Sequence, residues 1–427
     1  MALTRDLTLA WSLVGRLAKS RRSRRALDRT DAAGRAPLDG TVRVAVYFAD
    51  TSVNMYQIRQ WYGPLARLNE RYPVAIVARS PGATVELLAE SPVPVVYARQ
   101  VADLETFVAS QPLALTLYVN QNAKNFQMMR YGRMWHVFVN HGESDKMYMT
   151  TNQFKAYDYA FVAGDAALDR LSAKLWDYDL EKRAVPIGRP QADHVAGVVP
   201  FEADGKTVVL YAPTWEGDRS SAAYGSIASH GVALVSALIS TGRHRIVYRP
   251  HPRSGVVDRD YRRAHETIVK AIAAANLADP SAQHVYDSGS ELGWQLVVAD
   301  VAITDISAMV YDRLATGKPL VVTRPVSPEA DVDERGYLGD AEWLTAAGAG
   351  DVAELVDRVQ ADPEARGRLD HWVTHHFGDT TPGMATQRFE AAVARLVALR
   401  DEYAATHPVD ADSVRPAQDD SDGDIDS

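Results

Sequence analysis

Short runs of Val, Ile, Leu and aromatic residues recur along the chain with no polar alternation inside them. They cover residues 42–48, 74–78, 93–97, 113–119, 137–140 and 159–163, then 208–211, 245–248, 284–286, 301–304 and 319–322. Helical stretches separate most of them, at 54–70, 225–241, 258–275, 290–298 and 306–316, with late helices at 352–361 and 386–403. A short strand that is apolar on both faces and followed by a helix belongs in a parallel sheet covered on both sides. The expected class is therefore α/β. Residues 185–205 interrupt the pattern with Pro, Gly and Asp. This predicts two doubly wound halves, 41–190 and 205–380, facing each other across a cleft, a favoured place for a ligand. Residues 1–40 form an N-terminal segment ending in a linker at 30–40. Residues 381–405 form a C-terminal helix, and 406–427 an acidic tail expected to be disordered.

Charge is distributed unevenly. The chain of 427 residues has a formal net charge of −9. Residues 1–35 hold nine Lys/Arg against three Asp, a net +6, and residues 401–427 hold nine Asp/Glu against one Arg, a net −8. The overall acidity argues against a nucleic-acid binder. There is no cysteine, which excludes disulfides, thiolate zinc sites and cysteine nucleophiles. The uncharged stretches 220–242 and 111–123 are interrupted by polar residues, unlike about 20 mostly apolar residues needed to span a bilayer. Near the start, Leu3, Leu7, Trp11, Val14 and Leu17 recur at helical spacing ahead of Arg21, Arg22, Arg24 and Arg25. Residues 1–25 thus read as an amphipathic basic helix, either adsorbed to an anionic membrane surface or packed on the body. The order of charge and apolar residues is not that of a secretory signal, so a cytoplasmic body is expected.

Three segments of the second half follow strands, where parallel sheets line their ligand crevice. Val208–Trp215 (VVLYAPTW) ends at Pro213-Thr214, which alone is an ordinary turn. Arg249-Pro250-His251-Pro252-Arg253 places an imidazole in a loop stiffened by prolines on both sides. Arg249 and Arg253 suit phosphate, and His251 can donate to a phosphate or leaving-group oxygen. Asp305-Ile306-Ser307 opens a helix, where free N–H groups favour phosphate. Ser307 can add its hydroxyl, and Asp305 joins it or simply caps the helix. Asp312, about two turns along, can face a ribose. The first half offers Asn140-His141-Gly142, in which His141 can serve as a general base and Gly142 lets backbone approach a substrate. Serine-hydrolase, zincin, dinucleotide and P-loop signatures are absent.

Together these motifs resemble the CDP-glycerol glycerophosphotransferase family of teichoic-acid glycerol-phosphate primases and polymerases. The resemblance rests on His141-Gly142 with Lys146 after them, Tyr211-Ala212-Pro213-Thr214-Trp215 and Arg249-Pro250-His251-Pro252. It rests also on Ile303-Thr304-Asp305-Ile306-Ser307 with Asp312 and Gly317-Lys318-Pro319. It implies a GT-B-like fold of two Rossmann-like domains. It also implies transfer of a polyol phosphate from a CDP-linked donor to an acceptor hydroxyl, releasing CMP, with no metal and no cofactor. By that resemblance His141 activates the acceptor and His251 contacts the donor phosphates. Ser307 holds the diphosphate, Asp312 positions the nucleotide, and Gly142, Lys146, Thr214, Arg249, Arg253 and Asp305 complete the substrate site. A peripheral place at the inner membrane face, near a lipid-linked acceptor, is implied as well.

Three departures stand out. His141-Gly142-Glu143-Ser144-Asp145-Lys146 carries two carboxylates where the family commonly has His-Gly-Thr-Pro-Leu-Lys. Glu216 follows Trp215 where Arg is frequent, and Ser307-Ala308 replaces a serine pair. The nucleotide side is therefore expected to be kept and the acceptor side altered. Competing readings are a nucleotide-sugar glycosyltransferase or sugar-nucleotide epimerase of the same fold, and a catalytically silent membrane-associated partner.

Overall fold

A computed structural model of the chain describes residues 27, 40–142, 151–194, 197–217, 219–289 and 292–408. The expectations for residues 1–25, Lys146, the Glu143–Asp145 carboxylates and the acidic tail from 409 onward lie outside the described residues.

The chain builds two wholly parallel sheets. The first contains β1 (Val44–Phe48), β2 (Val74–Ala78), β3 (Val95–Tyr97), β4 (Leu115–Tyr118), β5 (Trp135–Phe138), β6 (Tyr159–Val162) and β7 (Ala184–Pro186), in the order β3-β2-β1-β4-β5-β6-β7. The second contains β8 (Thr207–Ala212), β9 (His244–Tyr248), β10 (Val285–Tyr286), β11 (Val301–Thr304), β12 (Leu320–Thr323) and β13 (Glu342–Leu344), in the order β10-β9-β8-β11-β12-β13. This is the GT-B arrangement of two Rossmann-like α/β domains. In each sheet the order reverses between two neighbours, β1 and β4 or β8 and β11. Loops leaving those strands diverge to opposite faces and open the crevice.

Burial explains the missing alternation. Val44, Val46 and Phe48 enter one core with Trp61, Ile76 and Leu117, while Ala45 and Tyr47 enter another with Tyr118 and Phe138. The second sheet likewise separates two cores, one around Leu210 and Val322 and one around Val209 and Ile303.

The helical pattern differs from expectation in places. The stretch at 54–70 divides into Met55–Arg59 and Tyr62–Asn69. Pro64 has no N–H to continue the first helix into the second. The stretch at 225–241 begins as a π-turn, Ile227–Gly231, before the helix Val232–Ser240. A helix at Pro363–Phe377, capped by Asp362, and the edge strands β7 and β13 were not expected.

The final helix, Met384–Thr406, lies against the first sheet although it follows the second in sequence. Its Phe389, Val393 and Leu396 are fully buried in the core with β1 and Trp61. The Phe389 ring lies 5.3 Å from Trp61 and 6.2 Å from Phe161. Arg43 pairs with Asp401 at 2.7 Å, and Trp135 Nε1 donates to the Leu396 carbonyl at 3.1 Å. Phe389→Ala is expected to destabilise the first sheet by about 3–5 kcal/mol, the usual cost of emptying a packed aromatic site. Urea unfolding followed by tryptophan fluorescence, to which Trp61 and Trp135 beside this helix contribute, measures it, and an unchanged midpoint would contradict this packing.

Candidate functional site

On the first sheet the site begins where β5 ends. Asn140 adopts a left-handed backbone with φ 56°, a conformation Asn tolerates better than most residues. Its Oδ1 accepts from the His141 N–H at 2.8 Å, and its Nδ2 donates to the Gly142 carbonyl at 2.5 Å. Trp61 Nε1 donates to the Asn140 carbonyl at 2.5 Å. The turn is therefore set by Asn140. Gly142 is not required sterically, since a Cβ there would meet nothing within 4 Å. His141 Nδ1 lies 3.0 Å from the Val119 carbonyl oxygen. A carbonyl only accepts, so Nδ1 carries the proton, and the neutral ring keeps its lone pair on Nε2.

The second-sheet motifs converge at the ends of β8, β9, β11 and β12. Asp305 is completely buried and does not cap the following helix. Its Oδ2 accepts from the Thr214 N–H at 2.7 Å and the Ser226 N–H at 3.1 Å, and its Oδ1 from Thr323 Oγ1 at 2.6 Å. Asp305 thus ties its own loop to two points of the connection after β8 and to the end of β12, a positioning role in place of the expected capping or substrate contact. Burial, outweighing these hydrogen bonds, pushes its pKa up to about 6. Ser307 is the actual cap of Ala308–Leu314, accepting from the Met309 N–H at 3.2 Å.

The loop after β9 is braced as a unit. The His251 N–H donates to the Pro213 carbonyl at 3.0 Å, joining the loop after β8. His251 Nδ1 accepts from the Arg253 N–H at 3.1 Å, so the neutral ring carries its proton on Nε2. Partial burial, then the Arg253 charge, lowers the His251 pKa from its ordinary value. The Arg253 guanidinium lies over the Trp215 ring at 3.8 Å. Glu216 accepts from the N–H groups of Gly255, Val257 and Asp258 at 2.9, 2.8 and 3.0 Å. Burial raises its pKa, but these donors outweigh that and hold it below the ordinary value. Glu216 therefore fastens the loop that carries Arg253.

Two of the expected substrate contacts have ion-pair partners within the protein. Arg249 pairs through Nη1 with Asp287 at 2.5 Å, both side chains largely buried. Asp312 pairs through Oδ1 with Arg189, from the connection after β7, at 2.5 Å. A cavity beside the first sheet is lined by Asn140, Gly142, Arg170 and Arg189, but by neither His141 nor His251. Asp287, Arg189 and Tyr261, whose hydroxyl donates to the Thr214 carbonyl at 2.6 Å, carried no sequence signal, because their partners are remote in the chain. Among the described residues no group of three or more His, Asp or Glu is placed to hold a metal ion, and no helix is long and apolar enough to cross a membrane.

Residues 135–394, more than half of the chain, match the family of CDP-glycerol:poly(glycerophosphate) glycerophosphotransferases. The chain belongs to this family. That membership makes it a transferase and covers the site from β5 to the final helix. No curated protein sequence matches it significantly. Solved structures share the fold at low identity. The wall teichoic acid polymerase TagF is 13% identical, with 93% of this chain and 99% of that chain covered and a TM-score of 0.52. A TagF form soaked with CDPG is 12% identical, covering 93% and 98%, again with a TM-score of 0.52. UDP-GlcNAc 2-epimerase from Neisseria meningitidis is 12% identical, covering 83% of this chain and 100% of that chain, with a TM-score of 0.55.

The Asp305 clamp has a testable pH signature. Its folded pKa, about 6, lies above that of a free Asp carboxyl. Its contribution to stability is therefore fully present below the unfolded pKa, near 4, and lost as pH rises through 6. Relative to Asp305→Asn, the wild type is expected to lose up to about 3 kcal/mol between pH 4 and pH 7. Parallel urea titrations of the two proteins measure this, and a pH-independent difference would contradict it.

Proposed function

We propose that the chain transfers a polyol phosphate, glycerol phosphate first among the options, from a CDP-linked donor to an acceptor hydroxyl, releasing CMP. The product is a teichoic-acid-like polymer or its primer. The carrying observation is the opposite proton placement on the two histidines. His141, its Nδ1–H held by the Val119 carbonyl, has its lone pair on Nε2. His251, its Nδ1 occupied by the Arg253 N–H, offers an Nε2–H. One ring suits a general base and the other a hydrogen-bond donor.

In this reading 41–190 is the acceptor-side domain and 205–380 the nucleotide-side domain. Nε2 of His141 takes the acceptor O–H proton as that oxygen attacks the β-phosphorus in line. The bond from this phosphorus to the CMP oxygen breaks, and CMP leaves with the electron pair. His251 Nε2–H and the Arg253 guanidinium stabilise the departing phosphate, with the Ser307 hydroxyl beside them. Asp305, Glu216 and Trp215 hold these groups in place. The rate enhancement comes mainly from orientation and charge stabilisation. Residues 1–25, basic and amphipathic in sequence, serve to hold the enzyme at an anionic inner membrane face, close to a lipid-linked acceptor.

His141→Ala and His251→Ala are each expected to lower CMP release at least about 100-fold while leaving the unfolding midpoint unchanged, the usual scale for loss of a proton-transfer group. Wild-type release by both variants would remove the assignment. In a thermal-shift panel of CDP-glycerol, CDP-ribitol, UDP-sugars and GDP-sugars, selective stabilisation by a CDP-polyol is expected. Selective stabilisation by a UDP-sugar would instead favour epimerase or glycosyltransferase chemistry. Tight nucleotide binding with no CMP release from any donor would point to the silent partner.

A further inference from the structure

We infer that Tyr56 is an acceptor-binding residue, presenting its phenolic proton to an oxygen of the polyol phosphate that His141 deprotonates. The inference rests on the proposed transfer reaction for the identity of the acceptor, and on four residues at the order reversal of the first sheet for its geometry.

Tyr56 lies in the short helix Met55–Arg59, directly after the loop that leaves β1. Its neighbours Met55, Gln57 and Ile58 are buried, whereas Tyr56 is 52% exposed. Its ring stands nearly perpendicular to the His141 imidazole, at 85° and 5.8 Å between centroids. The exposed aromatic therefore shares the crevice edge with the candidate base.

The direction of its hydroxyl follows from a hydrogen-bonded string that starts at a carboxylate. Asp50, at the end of β1, accepts from the Thr51 N–H at 2.8 Å and from Asn120 Nδ2 at 3.1 Å. The same Asn120 Nδ2 donates to Gln57 Oε1 at 2.6 Å. An ionised carboxylate only accepts, so the Asn120 amide must turn its NH2 towards Asp50 and thereby towards Gln57. Gln57 then has its oxygen on Asn120 and its NH2 on Tyr56, donating to the phenolic oxygen at 3.2 Å. Asn120 and Gln57 are both buried, which disfavours the reversed, mismatched arrangement. The phenol accepts at one end of the string, so its own proton points away from Gln57, towards the exposed side.

A phenolic O–H beside a general base suits the oxygen-rich end of a polyol phosphate. The ring supplies an apolar surface for the carbon skeleton, and the O–H one hydrogen bond to a hydroxyl or phosphate oxygen.

The test compares the full chain with Tyr56→Phe, using sn-glycerol 3-phosphate as the probe, titrated by NMR or calorimetry without donor. Tyr56→Phe keeps the ring over His141 and removes only the O–H. A loss of probe affinity of about 10-fold is expected, the scale of one hydrogen bond to a charged group. In turnover assays the acceptor KM should rise by a similar factor while kcat and CDP-glycerol binding stay as in the wild type. Asp50→Asn, which lets the string reverse, should weaken the probe in the same direction. Equal probe affinity of wild type and Tyr56→Phe, or no probe binding by the wild type, overturns the inference. Failure of the transfer reading looks different: no CMP release by the wild type, with the probe difference between the two proteins intact.

Discussion

Neighbouring parallel strands that feed opposite faces of a sheet send their loops apart, and the backbone polar groups left in the gap need partners. In both sheets an aspartate stands at that gap. Asp305 follows β11 and gathers Thr214, Ser226 and Thr323. Asp50 follows β1 and takes Asn120 from the end of β4. Each carboxylate joins the two strands at which the order reverses. The two histidine loops then sit one strand away, His141 after β5 beside β4 and His251 after β9 beside β8. Both crevice edges thus carry an aspartate that bridges the reversal, Asp305 through backbone N–H groups after β8 and Asp50 through the Asn120 side-chain amide. They differ in burial, since Asp305 is sealed in and Asp50 is partly exposed.

This organisation bears on chemistry through proton direction. A carbonyl beneath His141 and a backbone N–H beneath His251 give the two rings opposite polarity. Backbone groups are well suited to this, because their donor or acceptor character does not change with pH, whereas a carboxylate partner could itself titrate. Glu216 shows how a departure from the family pattern can be absorbed. Where a cation is frequent, this carboxylate collects three N–H groups and fixes the loop bearing Arg253.

The alternation of buried runs and helices made the two parallel sheets legible, because strands covered on both faces advertise themselves by composition. Edge strands do not: β7 is Ala-Val-Pro and β13 is Glu-Trp-Leu, too short and too mixed to stand out. The loops bearing His251, Ser307 and Thr214 were found by their positions after strands. The partners of their neighbours were hidden. Asp305 looked like a helix cap because Ile306 and Ser307 open a helix, and only the fold brings Thr214 and Thr323 to it. Asp312 and Arg249 looked free to meet a ligand until Arg189 and Asp287 arrived from distant segments. Tyr56 had no local signal, since its meaning lies in a hydrogen-bond direction set by Asp50.

The last helix has a consequence for the order of synthesis. The first sheet is complete once β7 has been made, but Phe389, Val393 and Leu396, which close one of its cores, come roughly 200 residues later. At about 5–20 residues per second, the nascent first sheet waits about 10–40 s with an apolar face uncovered. During that interval the second sheet is emerging from the ribosome beside it. The half built on the first sheet is thus the first to be translated and the last to be finished, and chaperone occupancy on ribosome-bound chains should peak before residue 384 is exposed.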